Sequence, residues 1–100
     1  MIRYYYVLAS RDFLLHQEAV EEILRERSFY YMNKGLTKDF AIFDGSELTF
    51  LPFVQKSHMV IVSTDASWIE WLKLRLQYVS MGNFDLDYDI LKPNNKSYQT

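Results

Sequence analysis

A chain of 100 residues, 49% of them hydrophobic, is the size of one globular domain with one hydrophobic core. Its 11 basic and 13 acidic residues are spread along the chain and give a formal charge of -2, which excludes the strongly basic surface of a nucleic-acid-binding protein. The sequence contains no cysteine, so disulfides, thiolate metal sites and thiol catalysis are excluded. Its apolar runs are too short to span a bilayer, and its first residues lack the order of a signal peptide. We therefore expect a soluble domain without a membrane span.

The first half of the chain predicts a strand, a helix and a second strand. Residues 2–9 are aromatic and branched-aliphatic, a composition typical of strands. From about Glu18 the apolar residues recur with a helical period, and a glycine-containing stop signal predicts that this helix ends near Lys34. Residues 38–44 alternate in hydrophobicity and predict the second strand, whereas residues 46–57 have no clean period and predict an apolar connection.

The second half predicts a strand, a helix and a final strand. Residues 58–64 indicate a strand that is buried on both faces, and Asp65 is placed to cap the following helix. We expect this helix to continue to about Met81, with Gly82 as its stop signal. Residues 84–90 alternate apolar and acidic side chains, which predicts a strand at the edge of the sheet.

This order of elements is the split βαβ pattern. It predicts an α+β fold, a ferredoxin-like βαββαβ sandwich in which two main helices pack on an antiparallel sheet and the first and third strands are central. We expect one domain over residues 1–91 and a mobile polar tail over residues 92–100.

The sequence carries no convincing catalytic or metal-binding motif. It has no GxGxxG or GKS/T element, and its two histidines, His16 and His58, are far apart. The acidic stretch at residues 85–89 lacks the glycine that a calcium loop requires. We therefore predict no catalytic residues, no metal site and no cofactor, and we expect a domain that binds a protein partner rather than an enzyme.

The second main helix has more apolar surface than packing on one sheet requires. One stripe should pack on the sheet and comprises Trp68, Ile69, Leu72, Leu76 and Val79. A second stripe, rotated away from the first, comprises Trp71, Leu74 and Tyr78. Two interpretations remain open: residues 46–57 fold over the second stripe, or the stripe stays partly exposed as a contact surface.

Arg75 lies in the angular gap between the two stripes, near Trp71 and Tyr78. A guanidinium in such surroundings usually pairs with a carboxylate or stacks on a ring, and Asp39 is a candidate partner. The alternative is a surface arginine whose aliphatic stem covers apolar area.

Several ordered segments resemble one known family. They are YYYVLAS at residues 4–10, EEILRER at 21–27, Asp39-Phe40, IVSTD at 61–65 and WLKLRLQYVSMGNF at 71–84. Together they resemble the small accessory protein, from a hypothetical chloroplast reading frame family, of the aerobic magnesium-protoporphyrin IX monomethyl ester cyclase. That family takes part in chlorophyll biosynthesis in cyanobacteria and plastids. The resemblance implies a non-catalytic accessory or assembly factor that associates with the membrane-bound di-iron catalytic subunit.

The resemblance also implies where the partner binds and where the protein works. The family's functional positions correspond to Ala9, Asp39, Phe40 and Arg75, with Phe40 as the expected apolar anchor of a surface that Trp71 and Tyr78 extend. The implied location is the cyanobacterial cytoplasm or plastid stroma, peripheral to the thylakoid membrane through the partner. Other chlorophyll-synthesis enzymes are further candidate partners.

Two alternatives to docking on the cyclase remain open. Exposed aromatic residues such as Trp71 and Tyr78 would also suit a domain that binds the porphyrin substrate or product. An open sheet face would suit a homodimer.

Overall fold

The computed structural model describes residues 1–16, 18–36 and 39–91. Its strands are β1 (Ile2–Ser10), β2 (Phe40–Asp44), β3 (His58–Ser63) and β4 (Ser80–Leu86), and its helices are α1 (Arg11–Leu15), α2 (Glu18–Lys34) and α3 (Ala66–Leu76). A 3-10 helix, Gly45–Glu47, follows β2 directly. The predicted order of strands and main helices is confirmed. The tail predicted at residues 92–100 lies outside the described residues.

The four strands form one antiparallel sheet in the order β2-β3-β1-β4. Val7 of β1 pairs with Ile61 of β3, and Tyr4 of β1 pairs with Phe84 of β4. This arrangement confirms the ferredoxin-like fold, with β1 and β3 in the centre and β4 at an edge.

Both faces of the sheet are covered by apolar side chains. On one face, α2 and α3 pack on the strands around a cluster that includes Val7, Ile61, Ile69 and Leu72. The opposite face carries a second cluster, in which residues of the 46–57 segment pack on β1, β3 and β4. Because β3 is buried on both faces of the sheet, its sequence is apolar without alternation.

The segment at residues 46–57 forms a tight cover over the outer face of the sheet. Leu48, Leu51 and Val54 are buried against it, and consecutive backbone bonds join Leu51 N–H to Leu48 O at 3.0 Å and Val54 N–H to Leu51 O at 3.1 Å. The ring of Phe53 stacks on that of Tyr6 with 5.0 Å between centroids. The interpretation that this segment covers the second stripe of α3 is therefore wrong. The open sheet face that would suit a homodimer is likewise occupied by the segment.

The boundary between α3 and β4 lies earlier than the sequence predicts. The helix ends at Leu76 rather than near Met81, because Gln77 takes a φ of 66° and the chain turns there, with Tyr78 N–H donating to Leu76 O at 2.7 Å. Met81 and Gly82 then belong to β4, which ends at Leu86, so the strand predicted over residues 84–90 is shifted. A Cβ on Gly82 would lie 2.5 Å from the hydroxyl oxygen of Tyr6, so a larger residue there would require the Tyr6 side chain to shift. The prediction that Gly82 ends the helix is therefore wrong, because Gly82 lies within β4.

The short helix α1 is an element that the sequence did not reveal. The predicted first strand is interrupted at residues 10–12, and the structure shows why: the Ser10 hydroxyl oxygen accepts a hydrogen bond from Phe13 N–H at 3.1 Å. This N-cap starts a single turn of helix that redirects the chain toward α2.

Replacing Gly45 with alanine should lower the free energy of unfolding by about 2–3 kcal/mol. The new methyl group would collide with the backbone carbonyl oxygens of Gln55 and His58, which cannot rotate away. Gly35→Ala is the control, because Gly35 has a φ of 68° but nothing within 4 Å of its Cβ position, and its cost should be about 1 kcal/mol. Urea unfolding measures both. A Gly45→Ala protein at least as stable as Gly35→Ala would contradict the close approach.

Candidate functional site

A largely buried arginine of α2 forms ion pairs with residues of two other parts of the fold. Arg27 lies on the face of α2 that also carries Ile23 and Tyr31, and its side chain is 14% exposed. Its Nη2 donates to Asp65 Oδ2 at 3.0 Å, to the Tyr31 hydroxyl oxygen at 2.8 Å and to Asp39 at 3.4 Å. We call Arg27, Tyr31, Asp39, Asp65 and Trp68 the Arg27 cluster.

The two carboxylates of the Arg27 cluster are fixed by their own local structure. Asp65 caps α3, because its Oδ1 accepts from Trp68 N–H at 3.2 Å, while its own N–H donates to the buried Ser63 hydroxyl oxygen at 3.0 Å. Asp39 precedes β2, and its carbonyl oxygen accepts from Thr64 N–H at 3.4 Å. One guanidinium therefore connects α2, the start of β2 and the start of α3.

Aromatic rings enclose the guanidinium of Arg27. Its Cζ lies 4.3 Å from the centroid of the Trp68 ring and 4.9 Å from that of Tyr31, which are distances typical of cation–π contacts. Burial raises the pKa of Tyr31 to about 12, and the neighbouring Asp39 carboxylate adds to the shift. Tyr31 therefore keeps its proton at neutral pH and accepts from the arginine as a neutral phenol.

The structure places the predicted site residues at three different depths. Asp39 is partly exposed in the Arg27 cluster, whereas Ala9 and Phe40 belong to the core between the sheet and the helices. Phe40 is 6% exposed and its ring lies 5.2 Å from that of Trp68, so the expectation of an exposed anchor is corrected. Phe40 thus packs against Trp68 of α3 within the core. Trp71 and Tyr78, in contrast, are 46% and 78% exposed.

The proposed pairing of Arg75 with Asp39 is also wrong. Asp39 contacts Arg27, and Arg27 binds Asp65 at the beginning of α3. Arg75 lies ten residues after Asp65 on the same chain, which corresponds to roughly 15 Å along a helix. The side chain of Arg75 is exposed and forms no ion pair with the described residues.

The second stripe of α3 remains uncovered by the rest of the described chain. Leu74 is 76% exposed and Tyr78 is 78% exposed, and the Tyr78 ring has an edge contact with the ring of Phe13 at 6.4 Å between centroids. We call this surface the α3 face, and it comprises Trp71, Leu74 and Arg75 of α3 together with Tyr78, which follows the end of the helix. Exposed Trp, Tyr and Arg side chains are the residue types enriched at protein–protein interfaces.

A groove of about 260 Å³ runs between α2 and α3 beside the α3 face. Its lining residues are Ile23, Glu26, Arg27, Tyr30, Trp68 and Trp71. Trp71 thus belongs both to the groove and to the α3 face, which makes the two surfaces continuous.

Sequence reasoning missed Arg27 and Tyr31, although a signal was present. Arg27 lies four residues after Ile23 and four before Tyr31, so it falls on the apolar face of an otherwise amphipathic helix. A charged residue on such a face needs a buried partner, and that requirement could have identified it.

The described residues contain neither a candidate metal site nor a candidate membrane-spanning helix. No group of three or more His, Asp or Glu side chains there is close enough to hold a metal ion. None of the helices in the described part of the chain is both long and apolar enough to cross a membrane.

The fold and the site define a small ferredoxin-like α+β domain whose sheet is covered on both faces and whose last helix and the turn after it present one exposed aromatic side chain each, Trp71 and Tyr78. The chain belongs to the Ycf54 family, because the family model described as "Ycf54 protein" matches residues 2–86.

Individual relatives agree with this family assignment. A Ycf54-like protein of Synechocystis sp. (strain ATCC 27184 / PCC 6803 / Kazusa) is 40% identical over 91% of this chain and 74% of its own length. A protein of Arabidopsis thaliana called "Protein YCF54, chloroplastic" is 29% identical over 83% of this chain and 42% of its own length. The solved structure of Ycf54 from Synechocystis sp. PCC6803 matches with a TM-score of 0.74 and 38% identity, covering 93% of this chain and 95% of that one.

Replacing Arg27 with methionine should lower the free energy of unfolding by about 2 kcal/mol, because the substitution leaves two partly buried carboxylates facing each other without their cation. Arg25→Met on the same helix is the matched control. Arg25 has only an exposed ion pair with Glu21 at 3.7 Å, so its loss should cost less than about 0.5 kcal/mol. Urea unfolding at neutral pH measures both values. Equal values for the two variants would show that the Arg27 cluster does not hold the helices.

The shifted pKa of Tyr31 predicts a loss of stability at high pH. The pKa is about 12 in the folded chain and 10.0 is its ordinary value, so the folded state resists ionisation. The resulting stabilisation is complete below pH 10 and is lost as the pH rises toward 12. Tyr31→Phe removes this ionisation and should give a shallower decline between those pH values in urea unfolding. Identical pH slopes for the two proteins would refute the assignment.

Proposed function

We propose that this chain is a non-catalytic accessory or assembly factor of the aerobic magnesium-protoporphyrin IX monomethyl ester cyclase in chlorophyll biosynthesis. The observation that carries the proposal is membership of the Ycf54 family over residues 2–86, together with the function that the sequence resemblance implies. Relatives in a cyanobacterium and in a chloroplast fit a pathway of photosynthetic organisms. In this proposal the iron chemistry belongs to the catalytic subunit.

The α3 face is the proposed docking surface for the catalytic subunit. Leu74 and Tyr78 supply apolar area that the described chain does not cover, and burying such area is the main driving force of association. Arg75 supplies a cation amid this area, so the partner should present a carboxylate there to set the register. In this proposal the protein lies at the membrane surface, because it binds a partner that is itself membrane-bound.

Asp39 and Phe40 contribute to this docking surface indirectly. Phe40 packs beneath Trp68, and Asp39 binds the arginine that also holds the N-terminus of α3. Substitutions at either position would therefore shift or loosen α3 and weaken partner binding without any direct contact. For this reason an Asp39→Ala variant is a poor test of the surface, whereas exposed residues of α3 provide a clean one.

The docking proposal predicts that Leu74→Ser/Tyr78→Ser lowers co-purification of the catalytic subunit by about tenfold or more, the loss expected when interface anchors are removed. Arg75→Ala should also lower the yield, and it should do so more strongly at low salt. Phe50→Ser is the matched control, because Phe50 is 50% exposed on the segment that covers the opposite face of the sheet. Capture with a tagged chain from a chlorophyll-producing host measures the yields.

The outcomes of this capture are distinct. An unchanged yield of the catalytic subunit for both α3 variants would exclude the α3 face as the docking surface. A yield that is reduced only by Phe50→Ser would indicate that the docking surface lies on the opposite side of the sheet. Failure of the unaltered chain to retain any cyclase subunit would overturn the cyclase assignment itself. Light scattering of the isolated chain separates docking from the alternative of a homodimer formed through the same face.

Porphyrin binding is less well supported than docking. The groove between α2 and α3 is about 260 Å³, below the roughly 300–1,000 Å³ of most small-molecule sites, although its Trp and Tyr rings are suitable in kind. Absorbance titration with the pigment distinguishes the alternatives, since a saturable Soret shift would favour binding of the porphyrin.

A further inference from the structure

The groove between α2 and α3 contains a repeated pairing of cations with aromatic rings. The guanidinium of Arg27 lies against both Trp68 and Tyr31, and the Lys34 ammonium nitrogen lies 5.7 Å from the centroid of the Tyr30 ring. Three of the rings in or beside the groove thus already have a cation over them.

Trp71 is the ring of this groove that lacks such a cation. No Arg or Lys among residues 1–16, 18–36 and 39–91 lies over it, and its side chain is 46% exposed at the groove's edge. Tryptophan is the aromatic side chain with the strongest cation–π attraction. Its accessible ring therefore matches a cation supplied from outside.

The charge around the groove also favours a cation. Glu26 lines the groove, while Asp39 and Asp65 contact Arg27 from behind it. Arg27 is already neutralised by these last two carboxylates, and Arg75, one helical turn from Trp71, does not line the groove, so the lining charge that favours a cation is that of Glu26. Glu26 has no ion pair with a described residue, and its carboxylate remains available.

We propose that the groove binds the guanidinium of an arginine presented by a protein partner, stacked on Trp71 and facing the Glu26 carboxylate. A guanidinium fits better than an ammonium because it is planar, stacks on aromatic faces and is more weakly hydrated. The site adds a second contact point beside the α3 face. It follows from the chemistry of the groove and does not depend on the cyclase being the partner.

The test uses the isolated full chain and two small probes, N-acetyl-arginine amide and its neutral isostere N-acetyl-citrulline amide. The probes are titrated while the indole N–H signals and the backbone amide signals of α2 are followed by NMR. We expect saturable shifts at Trp71 and α2, with the arginine probe binding about fivefold more tightly than the citrulline probe. Salt should weaken the binding of the arginine probe only.

Three variants locate the binding of the probe. Trp71→Leu should abolish the shifts in α2, and Glu26→Gln should weaken binding by about threefold. Phe50→Ser, on the segment that covers the opposite face of the sheet, should leave the affinity unchanged, and urea unfolding checks that each variant is folded. Equal binding of the two probes, absence of a saturable shift, or full binding by Trp71→Leu would each overturn the proposal. Since no cyclase subunit is present, these outcomes are independent of the docking experiment.

Discussion

The guanidinium of Arg27 connects α2 to the beginnings of β2 and α3. A ferredoxin-like sandwich buries its helices on one sheet face mainly through apolar contacts, which are not directional and permit small shifts of one element past another. Arg27 adds direction, since its donors must meet Asp39 and Asp65 while its plane lies between Trp68 and Tyr31. Arg27 thereby links α2 to the N-terminal end of α3 beside the groove that lies between the two helices.

This contact also links Asp39 and Phe40 to the α3 face. Asp39 and Phe40 do not belong to the α3 face, but each contacts a residue that positions α3, namely Arg27 and Trp68. A charged pair with partial burial contributes little net stability compared with apolar groups of the same size, yet its geometry is demanding. The Arg27 cluster is therefore better understood as a device that specifies the orientation of α3 than as a source of stability.

The fold could be predicted from the sequence because its signals are local. The periods of β1, β3 and α2 and the cap at Asp65 each depend on neighbouring residues, and all of them are confirmed. The end of α3 could not be predicted, because it is set by Gln77 taking a positive φ, a conformation that favours glycine rather than glutamine. The long-range contacts could not be predicted either. The sequence analysis paired Asp39 with Arg75 of α3, whereas the fold brings Arg27 of α2 to Asp39 and to the beginning of α3.

The cover formed by residues 46–57 gives the domain two unlike sides. In a ferredoxin-like domain with a bare sheet, a ligand or a second subunit can approach from either direction, and such a domain can stand between two neighbours. Here the outer face is closed by the chain's own Leu48, Leu51 and Val54, while aromatic area on the helices stays accessible. A partner that binds at the helices therefore leaves the opposite side free, where a second neighbour would meet the chain's own segment with its exposed Phe50 and Phe53 rather than the strands of the sheet.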